Sequence, residues 1–226
     1  MDLFLIRHGE SYNNALEDGS RRVSDPPLTG LGEEQAERVA SHLARCGHLD
    51  PAERDGRPAL DSLYCSAMRR ALQTAQPIAA ALGIAPEVWI DIHEVGGIWL
   101  EGKGDLHGMT RDEIRNDFPG VGLPEGVGEQ GWWPGGQEPK HAGRGRAIAV
   151  AQELQERARR GSGSGEPPER LGIVTHGDFM SGLVKALTDQ LPSLGLSYSH
   201  QNTAITRFRL GPDGCVVRYL NRCEHL

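Results

Sequence analysis

No apolar run in this chain approaches the roughly 20 residues that a bilayer-spanning helix needs, which argues against a helical membrane protein. Cysteine is scarce. Cys46, Cys65, Cys215 and Cys223 show no CxxC spacing or other metal-like pattern, which points to four unrelated, reduced thiols. Positive charge is in deficit: the formal net charge of -7 argues against general binding to nucleic acid or anionic membranes, yet leaves room for a local cationic pocket. No basic segment with an apolar leader precedes the first apolar run, so the expected compartment is the cytoplasm. Internal repeats are also missing, apart from one echoed dipeptide. What remains is an ordinary globular composition, 38% hydrophobic and 24% charged over 226 residues, enough for one sizeable core.

The echo is the informative part. Leu3-Phe4-Leu5-Ile6 leads into Arg7-His8-Gly9-Glu10, and Leu171-Gly172-Ile173-Val174 leads into Thr175-His176-Gly177-Asp178. Four apolar residues bounded by turn signals form the pattern of a buried parallel strand. Each run therefore delivers a histidine, then a glycine, to the carboxyl end of a strand, the edge of an open α/β sheet where ligands bind. Two imidazoles there, one directly preceded by arginine, point to an anion site with chemistry at nitrogen.

A polar stretch through Pro26-Pro27 follows the first run. Thr29 then caps a helix with Glu33 and Glu34 in its first turn, and Leu31, Gln35, Ala36, Val39 and Leu43 recur at helical spacing as its packed face. Residues 50–58 read as a charged loop and 60–65 as a strand. Ala71, Leu72, Ala75, Ile78, Ala79 and Leu82 form the inward face of a second helix, which Pro77 can kink and Gly83 stops. Residues 95–140 are glycine-rich, hold three tryptophans, and show helical period only around Thr110 to Phe118. They read as a cap above the sheet edge, with Trp132 and Trp133 filling its small core. A helix over 142–159 and a Gly-Ser-Pro surface loop over 161–168 come next. Behind the second His-Gly lies a helix with Met180, Leu183, Val184 and Leu187 inward, then strands over 203–210 and 215–220. This alternation predicts a three-layer α/β/α sandwich: a single domain over 1–226 with a mostly parallel central sheet and the cap over the carboxyl edge of its strands.

Arg7-His8-Gly9-Glu10 behind an apolar strand resembles the signature of the histidine phosphatase superfamily, the phosphoglycerate mutase-like group. Further segments follow in that family's order: Ser66 to Ala75, then Glu94, then Thr175-His176-Gly177. Pro27-Leu28-Thr29 with Gly32 and Gln35-Ala36 is similar to its first helix entry. The likeness spans nearly the whole chain and is weakest in the middle. It implies His8 as the nucleophile of a phosphohistidine intermediate, and Arg7 and Arg70 as forks on the phosphate oxygens. It further implies His176 as a second oxygen ligand, with Gly177 beside it at a helix N-terminus, and Asn14 as a phosphate contact. Glu94 becomes the proton donor. Arg70 rather than Arg69 aligns with the family, because it directly precedes Ala-x-x-Thr-Ala.

The set is physically coherent without the name. Phosphoryl transfer needs an in-line nucleophile, cations around the equatorial oxygens and a proton for the leaving oxygen. Neighbouring arginines hold His8 neutral, and a carboxyl shielded by a cap retains its proton near neutrality. Asp91 and Glu101 are rivals to Glu94. His93, His107 and His141 match no compact ligand spacing, and the arginines repel a divalent cation, so neither metal nor other cofactor is expected. Gln137 interrupts the family's Gly-Glu order before Glu138, so no site role is assigned to Glu138.

Three functions stay open. One is hydrolysis of a small phosphorylated metabolite, another is the mutase reaction through a bisphosphorylated glycerate, and the last is an inactive phosphate-binding module. Between Val95 and Lys140, four basic residues (Lys103, Arg111, Arg115, Lys140) stand against eight acidic ones, a net of -4 that suits a glycerate bisphosphate poorly. The stretch after Ser11 also lacks the Trp-Asn and Phe-Thr-Gly-Trp pattern of cofactor-dependent mutases. All the reactive residues are present, against the inactive module. Hydrolysis is therefore the favoured reading, with a small phosphorylated substrate as partner, no nucleic acid or membrane, and the oligomeric state open.

Overall fold

Asp2–Arg7 forms strand β1, and Arg170–Thr175 forms a second strand buried at every position. The two lie side by side in parallel, with Arg7 opposite Thr175. That register decides the site: the residues that follow, His8 and His176, must emerge next to each other. The structure is a computed structural model describing residues 1–104, 106–162, 165–191, 193 and 195–226. In chain order its strands are β1, β2 (Ser62–Cys65), β3 (Glu87–Val88), β4 (Arg170–Thr175), β5 (Ile205–Gly211) and β6 (Gly214–Arg222). They form one sheet in the order β3-β2-β4-β1-β5-β6. The first four are parallel, and β5 and β6 are antiparallel additions at the β1 side. The strand expected over 60–65 begins at Ser62, with Leu60 buried in the approach to it.

Helices cover both faces, which is why β1 is apolar at successive positions rather than alternate ones. Phe4 and Ile6 pack with α1 (Gly30–Ala44) and α2 (Arg69–Leu82). Leu3 and Leu5 pack on the other side with α4 (Lys140–Gly161) and α5 (Gly177–Leu187); α3 (Arg111–Asp117) lies between α2 and α4 in sequence. The Thr29 hydroxyl caps α1 by accepting from the N–H of Gly32. Gly32, Ala36, Val39, Ala40 and Leu43 form its buried face. Leu31, expected inward, is 50% exposed, because Gly32 takes the inward position where the Glu10 backbone passes close. α2 runs through Pro77 to Leu82 and ends at Gly83 in the left-handed region (φ 67°), where glycine carries no steric penalty. The Thr110 hydroxyl accepts from Glu113 N to open α3. α4 extends two residues beyond its expected span at each end.

The tryptophans correct one expectation. Trp132 and Trp133 do not fill a separate small core; with Ile98, Met109, Ile114, Phe118 and Val127 they join the cluster that holds Phe4 and Ile6. Gly97 permits this. Its φ is 68°, and a Cβ there would lie 2.2 Å from the Trp133 ring. Gly163 and Ser164 of the expected 161–168 loop, and Asp105 of the middle segment, lie outside the described residues. Among the described residues no helix is long and apolar enough to cross a membrane.

Candidate active site

His8 and His176 meet at the carboxyl edge of β1 and β4, with ring centroids 5.1 Å apart. His8 is 2% exposed and His176 fully buried. The His8 backbone N–H continues the ladder to Thr175 O at 2.9 Å. The ring Nδ1 lies 2.6 Å from Gly9 O, a contact only a protonated Nδ1 can make, so the free lone pair sits on Nε2. Arg70 Nε points at that lone pair from 3.2 Å. Burial, then the charges of Arg70 and Arg7, hold His8 well below its ordinary pKa, and the ring is neutral. His176 is likewise pushed well below, by burial and then by Arg70. Neither nitrogen of its ring has a hydrogen-bond partner among the described residues, although the ring is buried. An unpaired buried polar atom is costly, and the His176 ring carries two among the described residues.

The two arginines are held from behind. Arg7 Nη1 donates to His200 O at 2.6 Å, its Nε has no partner among the described residues, and Gly177, first residue of α5, lies against it. A Cβ on Gly177 would sit 3.4 Å from Arg7 Nε. Arg70, in the first turn of α2, is 8% exposed, with Asp25 3.7 Å from its Nη1. Asp25 also accepts the Arg69 N–H, so it anchors the helix start and the guanidinium together. Arg69 itself turns outward and pairs with Asp117 at 2.9 Å.

The loop after His8 is bolted in place. Gly9 N donates to Thr74 Oγ1 at 3.0 Å, Glu10 N to Gln35 Oε1 at 2.8 Å, and the Thr29 hydroxyl to Glu10 Oε1 at 2.7 Å. Asn14 is exposed at the rim of this loop, and its carbonyl oxygen accepts from the Ser11 N–H (3.1 Å) and hydroxyl (2.9 Å). Behind His8, the amide of Asn202 and the backbone N–H of Thr203 donate to its carbonyl oxygen at 3.0 and 3.3 Å. Thr203 has φ 56°, a conformation a β-branched residue rarely adopts, stabilised by its bonds to Arg7 and His8.

Glu94 lies across the cup at the N-terminus of α5. Its Oε1 accepts from Val95 N and Phe179 N, both at 2.9 Å, and Oε2 from Asp178 N at 3.4 Å. Burial, then the neighbouring Asp178 charge, raise its pKa despite these bonds and despite Arg70. The segment reaches this point because the Thr175 hydroxyl donates to Ile92 O at 2.5 Å, tying the turn over Ile90–Ile92 to the end of β4. Of the rival carboxylates, Asp91 is exposed, while Glu101 lines the outer wall of the cavity above the cup. That cavity, about 440 Å³, is bounded by Ser11, Arg22, Arg70, Glu94, Trp99 and Glu101 among others. His107 bonds Trp133 O, His141 is exposed, and the His93 ring meets Trp132 at a tilt and Trp133 edge-on, at centroid distances of 5.4 and 5.0 Å. Among the described residues, no group of three or more histidines, cysteines or carboxylates is placed to hold a metal ion.

Sequence reasoning missed Asp25, Arg22, Asn202 and Thr203. Arg22 and Asp25 lie in a polar segment without periodicity, and Asn202 just before and Thr203 at the start of the stretch expected as a strand over 203–210, which begins only at Ile205; only the folded chain turns them toward the cup.

Comparison with known proteins gives the family. The family model described as histidine phosphatase superfamily (branch 1) matches residues 3–222. A glucosyl-3-phosphoglycerate phosphatase of Mycolicibacterium vanbaalenii is 30% identical over 201 residues, covering 85% of this chain and 78% of that protein. A PE-PGRS family protein of Mycobacterium tuberculosis is 33% identical over 128 residues, covering 57% of this chain, which spans only 18% of that protein's length. A mycobacterial glucosyl-3-phosphoglycerate phosphatase solved with VO3 shares the fold, with TM-score 0.64 and 23% identity over 98% of this chain and 99% of the other. The chain belongs to branch 1 of the histidine phosphatase superfamily.

Proposed function

We propose that the protein hydrolyses small phosphomonoesters through a phosphohistidine on His8. The observation that carries the reading is the paired cup: a neutral, buried His8 with its Nε2 lone pair toward Arg70, beside a buried His176 whose ring nitrogens lack partners among the described residues. The Nε2 lone pair attacks phosphorus as the bond to the ester oxygen breaks in line. Arg70 Nε now occupies the direction of that lone pair and would shift to an equatorial oxygen when phosphorus arrives. Arg7, Arg70, His176 and the N-terminal backbone of α5 at Gly177 surround the spreading charge. Asn14 would join them only if its amide turned inward from the loop rim. Glu94, protonated, gives its proton to the leaving oxygen. Water then attacks the phosphohistidine, its proton passes to the Glu94 carboxylate, and inorganic phosphate leaves.

Mutase chemistry is less favoured. Of the four basic residues in the covering segment, Arg111 donates to the carbonyls of Val127 and Pro124, and Arg115 pairs with Asp112 at 3.8 Å. Arg111 is thereby committed to the backbone, and Arg115 lies in an exposed surface pair rather than in the lining of the cavity at the cup. The relatives' names point to phosphorylated glycerate derivatives, and we carry to this chain only the class of small phosphorylated metabolite. The reading brings with it a cytoplasmic setting and no nucleic-acid or membrane partner.

The deciding experiment is acid-quench labelling followed by a phosphomonoester panel, with His8→Ala as blank. A phosphatase traps phosphate on His8 and releases it to water. An inactive module traps none, and a mutase interconverts phosphoglycerates given a trace of bisphosphoglycerate. For Glu94→Gln, we expect a retained burst of His8 phosphorylation with an activated aryl phosphate and a loss of about 10²–10⁴-fold on alkyl phosphates. Equal rates toward both classes would reject Glu94 as the acid.

A further inference from the structure

Glu138 and Arg146 lie outside the phosphate cup, yet both grip the short segment that carries Glu94. Arg146 Nη1 donates to the carbonyl oxygens of Asp91 at 2.6 Å and of His93, the residue just before Glu94, at 2.9 Å. Its Nε and Nη2 hold the two carboxylate oxygens of Glu138, at 3.0 and 2.7 Å. Glu138 in turn accepts from Gly96 N, two residues past Glu94, at 3.3 Å. The Arg146 guanidinium also lies over the Phe179 ring, 4.7 Å from its centroid, and the Phe179 N–H is itself a donor to Glu94. One ion pair therefore fixes the chain before Glu94, the chain after it, and the residue its carboxyl leans on.

The pair is shielded, its side chains only 10% and 9% exposed. Burying two charges brings little net stability, because lost hydration offsets most of their attraction. A planar, two-pronged contact does bring geometric definition, and here the definition is centred on one carboxyl.

We propose that Glu138 and Arg146 are positioning residues that aim the Glu94 carboxyl at the leaving oxygen. The proposal rests on the assignment of Glu94 as acid, so its test separates the two. It also gives Glu138, which the sequence pattern left without a role, a function through Glu94 rather than through substrate.

The experiment compares Arg146→Gln, Arg146→Lys, Glu138→Gln and Glu94→Gln on p-nitrophenyl phosphate and on glycerol phosphate. The aryl ester leaves without a proton; the alkyl ester needs one. Misplacing a catalytic group by about 1 Å costs on the order of 10²-fold. Arg146→Gln and Glu138→Gln are expected to lose about 10–100-fold in kcat on glycerol phosphate, with the aryl burst rate within about threefold. Arg146→Lys, which keeps the charge and one donor for the His93 carbonyl, is expected to recover part of the loss. It also keeps the test decisive if Arg146→Gln does not fold. Equal losses on both substrates would mean a merely structural pair and overturn the proposal. If Glu94→Gln discriminates between the esters while the Arg146 and Glu138 variants do not, positioning alone fails. If Glu94→Gln does not discriminate, the acid assignment itself fails.

Discussion

Replacing Gly32 by alanine is the sharpest probe of how the fold holds His8. Gly32 lies in the first turn of α1, in another element from His8, and alanine in a helix interior is about 1 kcal/mol better than glycine. Judged from the helix alone, the substitution stabilises. The tertiary structure predicts the opposite. A Cβ at Gly32 would lie 2.0 Å from Glu10 O, and one at Gly9 would lie 2.4 Å from Gly32 O. The obstacle is backbone on both sides, so no side chain can rotate away. To reach an ordinary contact of 3.4 Å the 9–10 loop must withdraw by about 1.4 Å, against its bonds to Thr74, Gln35 and Thr29. Overpacking of this kind costs about 1–3 kcal/mol, leaving a net loss of up to about 2 kcal/mol after the helix gain. At this chain length that lowers Tm by up to roughly 8 °C. Because the displaced loop begins at the residue after His8, kcat/KM should fall about 10²-fold. Gly30→Ala is the control: nothing lies within 4 Å of a Cβ there, so it should leave activity unchanged and Tm equal or higher. Thermal melts and phosphate release on both variants settle it. A Gly32→Ala protein as stable and as active as the parent would refute the reasoning.

Two further outcomes follow from charge. The groups facing the Glu94 carboxyl are Asp178, Arg70, Arg7 and the N–H groups of Val95, Asp178 and Phe179. Asp178 raises the Glu94 pKa, so Asp178→Asn should lower it. With Glu94 as the proposed proton donor, its proton is then lost at lower pH and the alkaline limb of kcat/KM should shift to lower pH; a shift to higher pH would contradict the assignment. Far from the cup, Arg207 is 1% exposed and donates to Asp2 at 2.9 Å and to Glu53. Arg207→Met strands part of that buried charge and should cost about 3 kcal/mol, or roughly 6–12 °C in Tm, without changing kcat per folded molecule. The hydrogen bond from Arg207 holds Glu53 at about 2 against an ordinary 4.5. A depressed carboxylate stabilises the fold fully above its unfolded value and loses that contribution as pH falls toward the folded one. The variant should therefore lose less stability than the parent between pH 4.5 and 2, measured by denaturant melts; an identical acid dependence would dissociate Glu53 from Arg207.

The sequence by itself determined those features whose cause is local. Four apolar residues ending in His-Gly specify a buried strand, and Thr29, Gly83 and the spacing of Ala36, Val39 and Leu43 specify where helices start, stop and face. His8, His176 and Arg7 were legible because each stands at the end of such a run, whereas Arg70 was told from Arg69 only by the resemblance to the family's Ala-x-x-Thr-Ala segment. Tertiary structure decided the rest. The equal register of β1 and β4 sets the two histidines side by side; the approach of the Glu10 backbone turns Leu31 outward and gives its place to Gly32. The same closure draws Trp132 and Trp133 into the main core and sets Asp25 behind Arg70. It also brings Glu138 and Arg146 around the segment of Glu94. Periodicity reports which face of one element avoids water. It carries no record of which distant backbone will come to lie against that face, and that contact is where this site acquires its geometry.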